Sequence, residues 1–172
     1  MEIVQPIFLI GFMGVGKTTL GKKLANALKL PFIDSDMALE QEFQLSINEY
    51  FEEFGEDQFR AKEQQWIQQL IKQPAIISTG GGLPCFFDNL NEMKKKGLVI
   101  YLERPTKEII QRLKQGKNKR PLIASKSDEE LLFFVTELLN ERIPHYERAH
   151  ITATREQQTA DGIIDLIQDY IN

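Results

Sequence analysis

The sequence has few of the features that would cross-link a chain or anchor it in a membrane. Its 172 residues include one cysteine, Cys85, so no internal disulfide can form, and a reducing compartment such as the cytoplasm is expected. No apolar run approaches the roughly 18 residues that a membrane-spanning helix needs. Residues 1–6 lack the basic stretch of a signal peptide, so we expect none. We therefore predict a cytoplasmic protein without a membrane partner.

Basic residues are also in slight deficit. The chain has 21 lysines and arginines against 25 aspartates and glutamates, a formal net charge of −4. Because nucleic acid selects for a basic surface, we expect no nucleic-acid partner. Hydrophobic residues make up 42% and charged residues 27%, which excludes disordered and fibrous classes. At roughly 150 residues per domain, residues 1–172 are predicted to form one domain.

Short apolar runs alternate with helical patterns along the chain. An entirely apolar run over 7–10 predicts a strand buried on both faces, and the leucines of 17–28 fall at helical spacing. Further strands are predicted at 32–34, 75–78, 98–102 and 151–154, and further helices at 46–54, 56–72 and 160–171. This alternation predicts an α/β fold, with a five-stranded parallel sheet covered by helices on both faces. Ligands of such sheets bind beyond the carboxyl ends of the strands.

A phosphate-binding loop is predicted between the first strand and the first helix. Residues 11–18 (GFMGVGKT) match G-x-x-x-x-G-K-[ST] without a mismatch. The glycines let the backbone fold around an anion, and the helix that follows points its amide groups at the phosphates. Lys17 would reach the β- and γ-phosphates, and the Thr18 hydroxyl would bind Mg²⁺. The motif indicates a nucleotide phosphate and leaves the acceptor open.

Two aspartates follow the second predicted strand. Residues two apart in an extended stretch point to the same side, so Asp34 and Asp36 are expected to face the phosphate loop together. One could hold the metal or its waters, and the other could orient or accept a hydroxyl proton. The alternative is a solvated turn with an aspartate helix cap.

Two further patterns are compatible with a binding site. Gly80, Gly81 and Gly82 follow the third strand and would allow a ligand to approach the backbone closely. Arg60 and Glu63 lie three residues apart on one helical face, where a surface ion pair is the alternative.

Two segments late in the chain are rich in basic residues or contain a proline. The basic segment 114–127 suits a mobile lid that closes over a polyphosphate, or else a solvated loop. Arg142 precedes Pro144 within a helical pattern, and the proline is expected to kink the helix and aim this arginine. An ordinary charged helix face is equally compatible with that pattern.

Taken in order, these motifs resemble those of the shikimate kinases, a family on the nucleoside-monophosphate-kinase branch of the P-loop fold. The resemblance runs from about Ile7 to Ile171 and has six motifs. They are GxxxxGK[ST] at 11–18, DxD at 34–36, FRxxE at 59–63, GGG at 80–82, RPL at 120–122 and RxPxY at 142–146. It implies a three-layer P-loop kinase fold, with a lid at about 113–127 and a substrate-binding helical region at about 35–62.

The resemblance also implies a reaction. ATP would phosphorylate the 3-hydroxyl of shikimate to give shikimate 3-phosphate and ADP, with Mg²⁺ as the metal, on the route to chorismate and the aromatic amino acids. Asp36 would hold the ring hydroxyls and orient or deprotonate the attacking one, whereas Lys17 and Arg120 would neutralise charge on the transferring group. Thr18 and Asp34 would hold Mg²⁺. Asp36, Lys17 and Arg120 are therefore the candidate catalytic residues.

The remaining candidate residues bind the two substrates. Those for shikimate are Asp36, Arg60, Glu63, Gly81, Gly82 and Arg142. Arg60, Arg142 and the Gly81 backbone would grip the carboxylate, and Glu63 would orient Arg60. The candidates for ATP are Gly11, Met13, Gly14, Val15, Gly16, Lys17, Thr18, Thr19, Arg112 and Arg120.

The sequence departs from the family pattern near the expected adenine site. The usual adenine-stacking arginine falls at Leu113, with Arg112 beside it. A proline that often flanks the adenine is replaced within residues 157–159.

Two alternatives to this reaction stay open. A gluconate-like or nucleoside-monophosphate kinase would use the same fold, and a catalytically silent nucleotide-binding regulator would keep only the binding function. ATP and shikimate are the expected partners, and a monomer is expected because such a fold encloses its own site.

Overall fold

Parallel strands form the centre of the computed structural model, which describes residues 2–115, 123 and 126–171. Over these residues the sheet has five strands in the order β2-β3-β1-β4-β5, all paired in parallel. The strands are β1 (Ile7–Ile10), β2 (Phe32–Asp34), β3 (Ile76–Ser78), β4 (Leu98–Leu102) and β5 (Ile151–Ala153). Every residue of β1, β3 and β4 is buried, so both faces of the sheet are covered. The predicted α/β fold is confirmed.

Helices connect and cover the strands. The α-helices of the described residues are α1 (Lys17–Leu28), α2 (Ser35–Phe43), α3 (Ile47–Phe54), α4 (Glu56–Gln69), α5 (Asn89–Lys96), α6 (Thr106–Gln115), α7 (Asp128–Tyr146) and α8 (Ala160–Ile171). Short 3-10 helices cover Leu83–Cys85 and Arg155–Gln157. Within the described ranges, none of these helices has both the length and the apolar character that crossing a membrane would require.

The predicted helical region at 35–62 consists of α2, α3 and the first part of α4. Its small core contains Leu39, Tyr50 and Phe59, and Phe43 stacks on Tyr50 with 4.1 Å between ring centroids. A capping box at Ser46 starts α3, as its spacing predicts. This separate aromatic core supports the segment of α4 that carries Arg60 and Glu63.

The helix predicted at 56–72 ends earlier, at Gln69. Leu70 is extended (φ −60°, ψ 123°), and Lys96 of α5 donates from Nζ to the carbonyls of Gln68 and Leu70 at 3.0 and 2.8 Å. A lysine here complements the negative end of the α4 dipole. The end of α4 is therefore set by a contact with another helix.

The lid predicted at about 113–127 is wrong at its start. Leu113 lies within α6, where it is fully buried, and that helix continues to Gln115. At the other end, Ser127 caps α7 through a capping box with Glu130. Residues 116–122 and 124–125 lie outside the described residues, and so does the predicted catalytic Arg120.

Candidate active site

The phosphate loop joins β1 to α1 with three glycines in left-handed conformations. Gly11, Gly14 and Gly16 have φ angles of 139°, 80° and 106°, which side-chain-bearing residues rarely adopt. Gly16 occupies the N-cap position of α1 without a side-chain cap. The first amide groups of α1 are thus directed at the loop, as an anion site needs.

Lys17 lies over this loop. Its Nζ donates to the carbonyls of Gly11 and Phe12 at 2.8 Å each. Burial lowers the pKa of Lys17 to about 8, although the carboxylates of Asp36 and Asp34 act in the opposite direction. Because burial penalises the charge on Lys17, phosphate oxygens bound beside it would stabilise its protonated form.

Asp34 has two structural roles at the end of β2. It accepts a hydrogen bond from the Thr18 hydroxyl at 2.8 Å. It also caps α2 by accepting from the backbone N–H of Asp36 at 3.1 Å. The extended geometry expected for residues 34–36 is therefore wrong, because α2 begins at Ser35. Asp34 caps that helix, as the alternative interpretation held, and it also lies at the phosphate loop, as predicted.

The Thr18 and Asp34 oxygens fit a magnesium ion. Both are hard oxygen donors that lie 2.8 Å apart beside the phosphate loop, and the hydroxyl of Ser78 is 3.5 Å from that of Thr18. Mg²⁺ commonly takes one or two protein carboxylates and completes its shell with phosphates and waters. Over the described residues, no group of three or more His, Cys, Asp or Glu side chains is placed to hold a metal.

Asp36 lies in the first turn of α2, against the backbone of Gly80. A Cβ on Gly80 would come within 2.5 Å of Asp36 Oδ1, so a side chain at 80 would displace the carboxylate. Burial raises the pKa of Asp36, the neighbouring Asp34 carboxylate adds to this rise, and Lys17 opposes it. The result is a carboxylate of increased basicity near Lys17.

Arg60 of α4 is held between two carboxylates and an aromatic ring. Its Nη1 donates to Glu63 Oε2 at 2.7 Å, whereas Nε and Nη2 donate to Glu56 Oε1 at 3.0 and 2.7 Å. The guanidinium carbon lies 4.2 Å from the centroid of Phe86. Glu63 is only 1% exposed, so the alternative of a surface ion pair is wrong. Burial raises the pKa of Glu63 to about 7, against the lowering effect of Arg60.

The glycine loop, Gly80–Gly82, lies against both arginines. A Cβ on Gly82 would be 2.7 Å from Arg60 Nη1, and one on Gly81 would be 3.4 Å from Arg142 Nη1. The same Cβ on Gly81 would be 3.3 Å from the backbone nitrogen of Met13 in the phosphate loop. The two guanidiniums and the phosphate loop therefore meet at consecutive glycines.

Part of this set lines a cleft of about 590 Å³ beyond the carboxyl ends of the strands, whereas Arg60, Glu63, Gly82 and Arg142 lie outside its lining. Its lining residues are Met13, Gly14, Gly16, Lys17, Thr18, Thr19, Asp34, Asp36, Ser78, Thr79, Gly81, Arg112 and Gln115. A neighbouring cleft of about 340 Å³ shares Gly16, Thr19 and Arg112 with it and is also lined by Val15, Arg104 and Gln158. Of the predicted ATP-binding residues that are described, all except Gly11 line one or both of these clefts.

The family pattern predicts an arginine at position 113, where this chain has Leu113 with Arg112 beside it. Leu113 is fully buried and packs beneath the phosphate loop, since a Cβ on Gly14 would be 3.0 Å from its Cδ2. Arg112 lines both clefts and lies 3.5 Å from where a Cβ on Gly16 would be.

Sequence reasoning missed three side chains that hold the site together. Ser35 accepts from the Gly80 N–H at 2.9 Å, Arg104 donates from Nε to the Val15 carbonyl at 3.0 Å, and Tyr146 lies against the glycine loop. The DxD and RxPxY motifs contain Ser35 and Tyr146 and could have indicated them. No pattern in the sequence marks Arg104.

The fold and the site together define a P-loop kinase. They combine a phosphate loop between β1 and α1, an acidic pair after β2 and a cleft at the carboxyl ends of a parallel sheet. The family model of the shikimate kinases matches residues 13–172. The chain belongs to the shikimate kinase family. Among its relatives, the shikimate kinase of Bacteroides fragilis is 43% identical over 145 residues, covering 84% of this chain and 81% of the relative. That of Parabacteroides distasonis is 40% identical over 160 residues, 92% of each.

Solved structures agree. A crystal structure of shikimate kinase from Bacteroides thetaiotaomicron superposes with a TM-score of 0.87 at 34% identity, over 98% of each chain. Shikimate kinase from Acinetobacter baumannii in complex with shikimate gives 0.80 at 33% identity, over 98% of this chain and 93% of the other. A gluconokinase from Sinorhizobium meliloti gives 0.55 at 13% identity and shares the fold alone. The predicted fold and family are confirmed.

Proposed function

We propose that this protein transfers the γ-phosphoryl group of ATP to the 3-hydroxyl of shikimate, giving shikimate 3-phosphate and ADP. The observation that carries the proposal is the proximity of two guanidiniums to consecutive glycines beside a phosphate loop: a Cβ on Gly81 would be 3.4 Å from Arg142 Nη1, and one on Gly82 would be 2.7 Å from Arg60 Nη1. Such a pair selects a carboxylated acceptor and places it within reach of a bound nucleotide. The A. baumannii relative is in complex with shikimate, and family membership supports the same acceptor here.

Arg60 and Arg142, with the backbone N–H of Gly81, hold the substrate carboxylate in this proposal. The Glu63 carboxylate orients Arg60 through its 2.7 Å bond to Nη1, and Gly82 leaves room for the guanidinium. Planar guanidinium groups suit a carboxylate because their N–H groups match its two oxygens. This grip fixes the ring so that one hydroxyl faces the phosphate loop.

Asp36 orients that hydroxyl and accepts its proton. The hydroxyl oxygen attacks the γ-phosphorus, the bond to the β,γ-bridging oxygen breaks, and ADP leaves as the proton passes to the Asp36 carboxylate. The raised pKa of Asp36, caused by burial and by Asp34, makes its carboxylate a better proton acceptor. Positioning by the surrounding groups supplies most of the remaining rate enhancement.

The phosphate side neutralises the charge of the transferring group. Lys17 exchanges its two loop carbonyls for the β- and γ-phosphate oxygens, and Arg120 remains a predicted second cation, outside the described residues. Thr18 and Asp34 would hold Mg²⁺, which would supply positive charge to shield the phosphates. Arg112, placed where the two clefts meet, is the proposed contact for the nucleotide base.

The proposal also covers organisation. A single catalytic domain that works as a monomer is part of the proposal, because the phosphate loop, Asp36 and the glycine loop meet at one edge of the sheet within this fold. A cytoplasmic location is also part of the proposal, since a chain with one cysteine forms no internal disulfide and suits a reducing compartment. Light scattering after size exclusion would test the monomer, because a dimer would elute at about twice the 19.9 kDa chain mass.

The deciding experiment is ADP release from Mg-ATP with four acceptors tested separately: shikimate, quinate, gluconate and AMP. Turnover with shikimate alone supports the proposal. Turnover with quinate or gluconate, which also carry a carboxylate, keeps the kinase class and the grip but overturns shikimate as the acceptor. Turnover with AMP, which has no carboxylate, overturns the grip assigned to Arg60 and Arg142. ATP binding without turnover on any acceptor would instead favour a silent nucleotide-binding regulator.

A further inference from the structure

The glycine loop has no side chains with which to fix its own backbone, so other residues must hold it. On one side, Ser35 Oγ accepts from the Gly80 N–H at 2.9 Å. On the other, the Tyr146 hydroxyl donates to the Gly81 carbonyl at 2.6 Å. Ser35 and Tyr146 are both 0% exposed, so neither bond competes with bulk water.

The peptide group that carries the Gly81 N–H lies between these two anchors. Its other end, the Gly80 carbonyl, accepts from the N–H of Leu83 at 3.2 Å. The peptide before it is held by Ser35 and the peptide after it by Tyr146. The direction of the Gly81 N–H is therefore determined by its neighbours. Among the described residues, loss of the Tyr146 bond would leave the Gly81 carbonyl with only the 4.0 Å contact from Cys85 Sγ.

Tyr146 also couples the loop to Arg142. The two residues are four apart on α7, one helical turn, so both project towards the glycine loop. The Tyr146 ring stacks on Tyr101 of β4, with centroids 5.2 Å apart and planes at 29°. Burial raises the pKa of Tyr146 far above the neutral range, so its hydroxyl remains a donor at every working pH.

We infer that Tyr146 is a positioning residue for substrate recognition: its hydroxyl holds the Gly81–Gly82 peptide so that the Gly81 N–H and the Arg142 guanidinium converge on the acceptor carboxylate. This rests on the proposed function, since it assumes a carboxylated acceptor at the glycine loop. Tyr146 is fully buried and lines neither cleft, so it acts through the backbone that it holds.

The test is Tyr146→Phe, which removes the hydroxyl and keeps the ring stack. One lost neutral hydrogen bond corresponds to an about fivefold to tenfold effect, expected in KM for shikimate with kcat and KM for ATP nearly unchanged. The matched control is Tyr101→Phe, which removes the hydroxyl from the other ring of the stack and should leave KM for shikimate within twofold.

A second acceptor separates positioning from a general structural loss. With the cyclohexene triol that lacks the carboxylate of shikimate, Tyr146→Phe should leave kcat/KM unchanged, because there is no carboxylate to misplace. The ratio of kcat/KM between shikimate and the triol does not depend on how much enzyme is folded, so partial unfolding cannot imitate the result.

Three outcomes would overturn the inference: an unchanged shikimate-to-triol ratio in Tyr146→Phe, an equal change in Tyr101→Phe, or a loss confined to KM for ATP. Each requires a wild-type enzyme that phosphorylates shikimate. If wild type does not, it is the proposed function that has failed, so the two failures are distinguishable.

Discussion

The phosphate side and the acceptor side of this cleft are built in different ways. On the phosphate side, Lys17 bonds to carbonyls only five and six residues away, within one continuous loop. On the acceptor side, Asp36, Arg60, Gly81 and Arg142 come from α2, α4, the loop after β3 and α7. In the proposed function, the contiguous loop binds the nucleotide phosphates that many kinases share, whereas the dispersed set selects the acceptor.

The largest expected effect tests whether the two sides separate functionally. Asp36→Asn should lower kcat by at least about 100-fold, because loss of an acid–base group costs about that much, while ATP binding changes little. Steady-state turnover and a binding titration with a non-hydrolysable ATP analogue measure the two quantities. The control is Asp57→Asn, an exposed carboxylate on α4. Turnover of Asp36→Asn close to wild type would contradict the role given to Asp36.

Arg142→Ala should act on the acceptor side alone. KM for shikimate is expected to rise by about 10-fold to 100-fold, the range for a lost charge-assisted hydrogen bond, with KM for ATP nearly constant. Arg148→Ala is the control, since Arg148 lies beyond the end of α7 and bonds to Asn91 at the surface. An unchanged KM for shikimate would mean that the carboxylate grip lies elsewhere.

The pH dependence of ATP binding tests the phosphate side. Free Lys17 has a pKa of about 8, and bound phosphates must raise it, so binding above pH 8 takes up a proton. The affinity for ATP should therefore be full below pH 8 and fall by up to about tenfold per pH unit above it. Calorimetry in buffers of different ionisation enthalpy at pH 8.5 measures the proton uptake. Adenosine, which lacks phosphates, should show none, and an ATP affinity independent of pH would contradict the prediction.

The smallest expected effect concerns Glu63, whose pKa of about 7 places its ionisation in the neutral range. A bound substrate carboxylate adds negative charge nearby and raises that pKa further, so protonated Glu63 favours binding. KM for shikimate should therefore rise about twofold to threefold as the pH increases through 7. Glu63→Gln mimics the neutral form and should flatten this dependence. The same rise in Glu63→Gln would assign it to another group.

The difference between the two sides also decides what could be predicted from the sequence. The phosphate loop was predicted with its residues because all its geometry is local: glycines with positive φ, then a helix N-terminus. The assignment of the acceptor-binding residues depends on the resemblance to a family, since one sequence offers no physical reason to pair Arg60 with Arg142. The same sequence pattern at Arg60 and Glu63 is compatible with an exposed ion pair, and only packing against Phe86 and the glycine loop buried it.

Secondary-structure boundaries predicted from local sequence patterns were also wrong where a side chain or a neighbouring helix contributes hydrogen bonds. Residues 34–36 read as an extended pair, but the Asp34 side chain captures two amides of the next turn and starts a helix. The helix predicted to reach 72 stops at Gln69, where Lys96 meets its last carbonyls. Leu113, in the predicted lid, is instead part of the core under the phosphate loop.

By itself the sequence determined the order of strands and helices, the parallel sheet and the phosphate loop, because each depends on contacts within a few residues or on alternating apolar runs. Tertiary structure decided the burial of the Arg60–Glu63 pair, the raised pKa of Asp36 and the anchoring of the glycine loop by Ser35 and Tyr146. Those properties depend on desolvation and on hydrogen bonds between segments as many as 65 residues apart. Only folding brings such groups together.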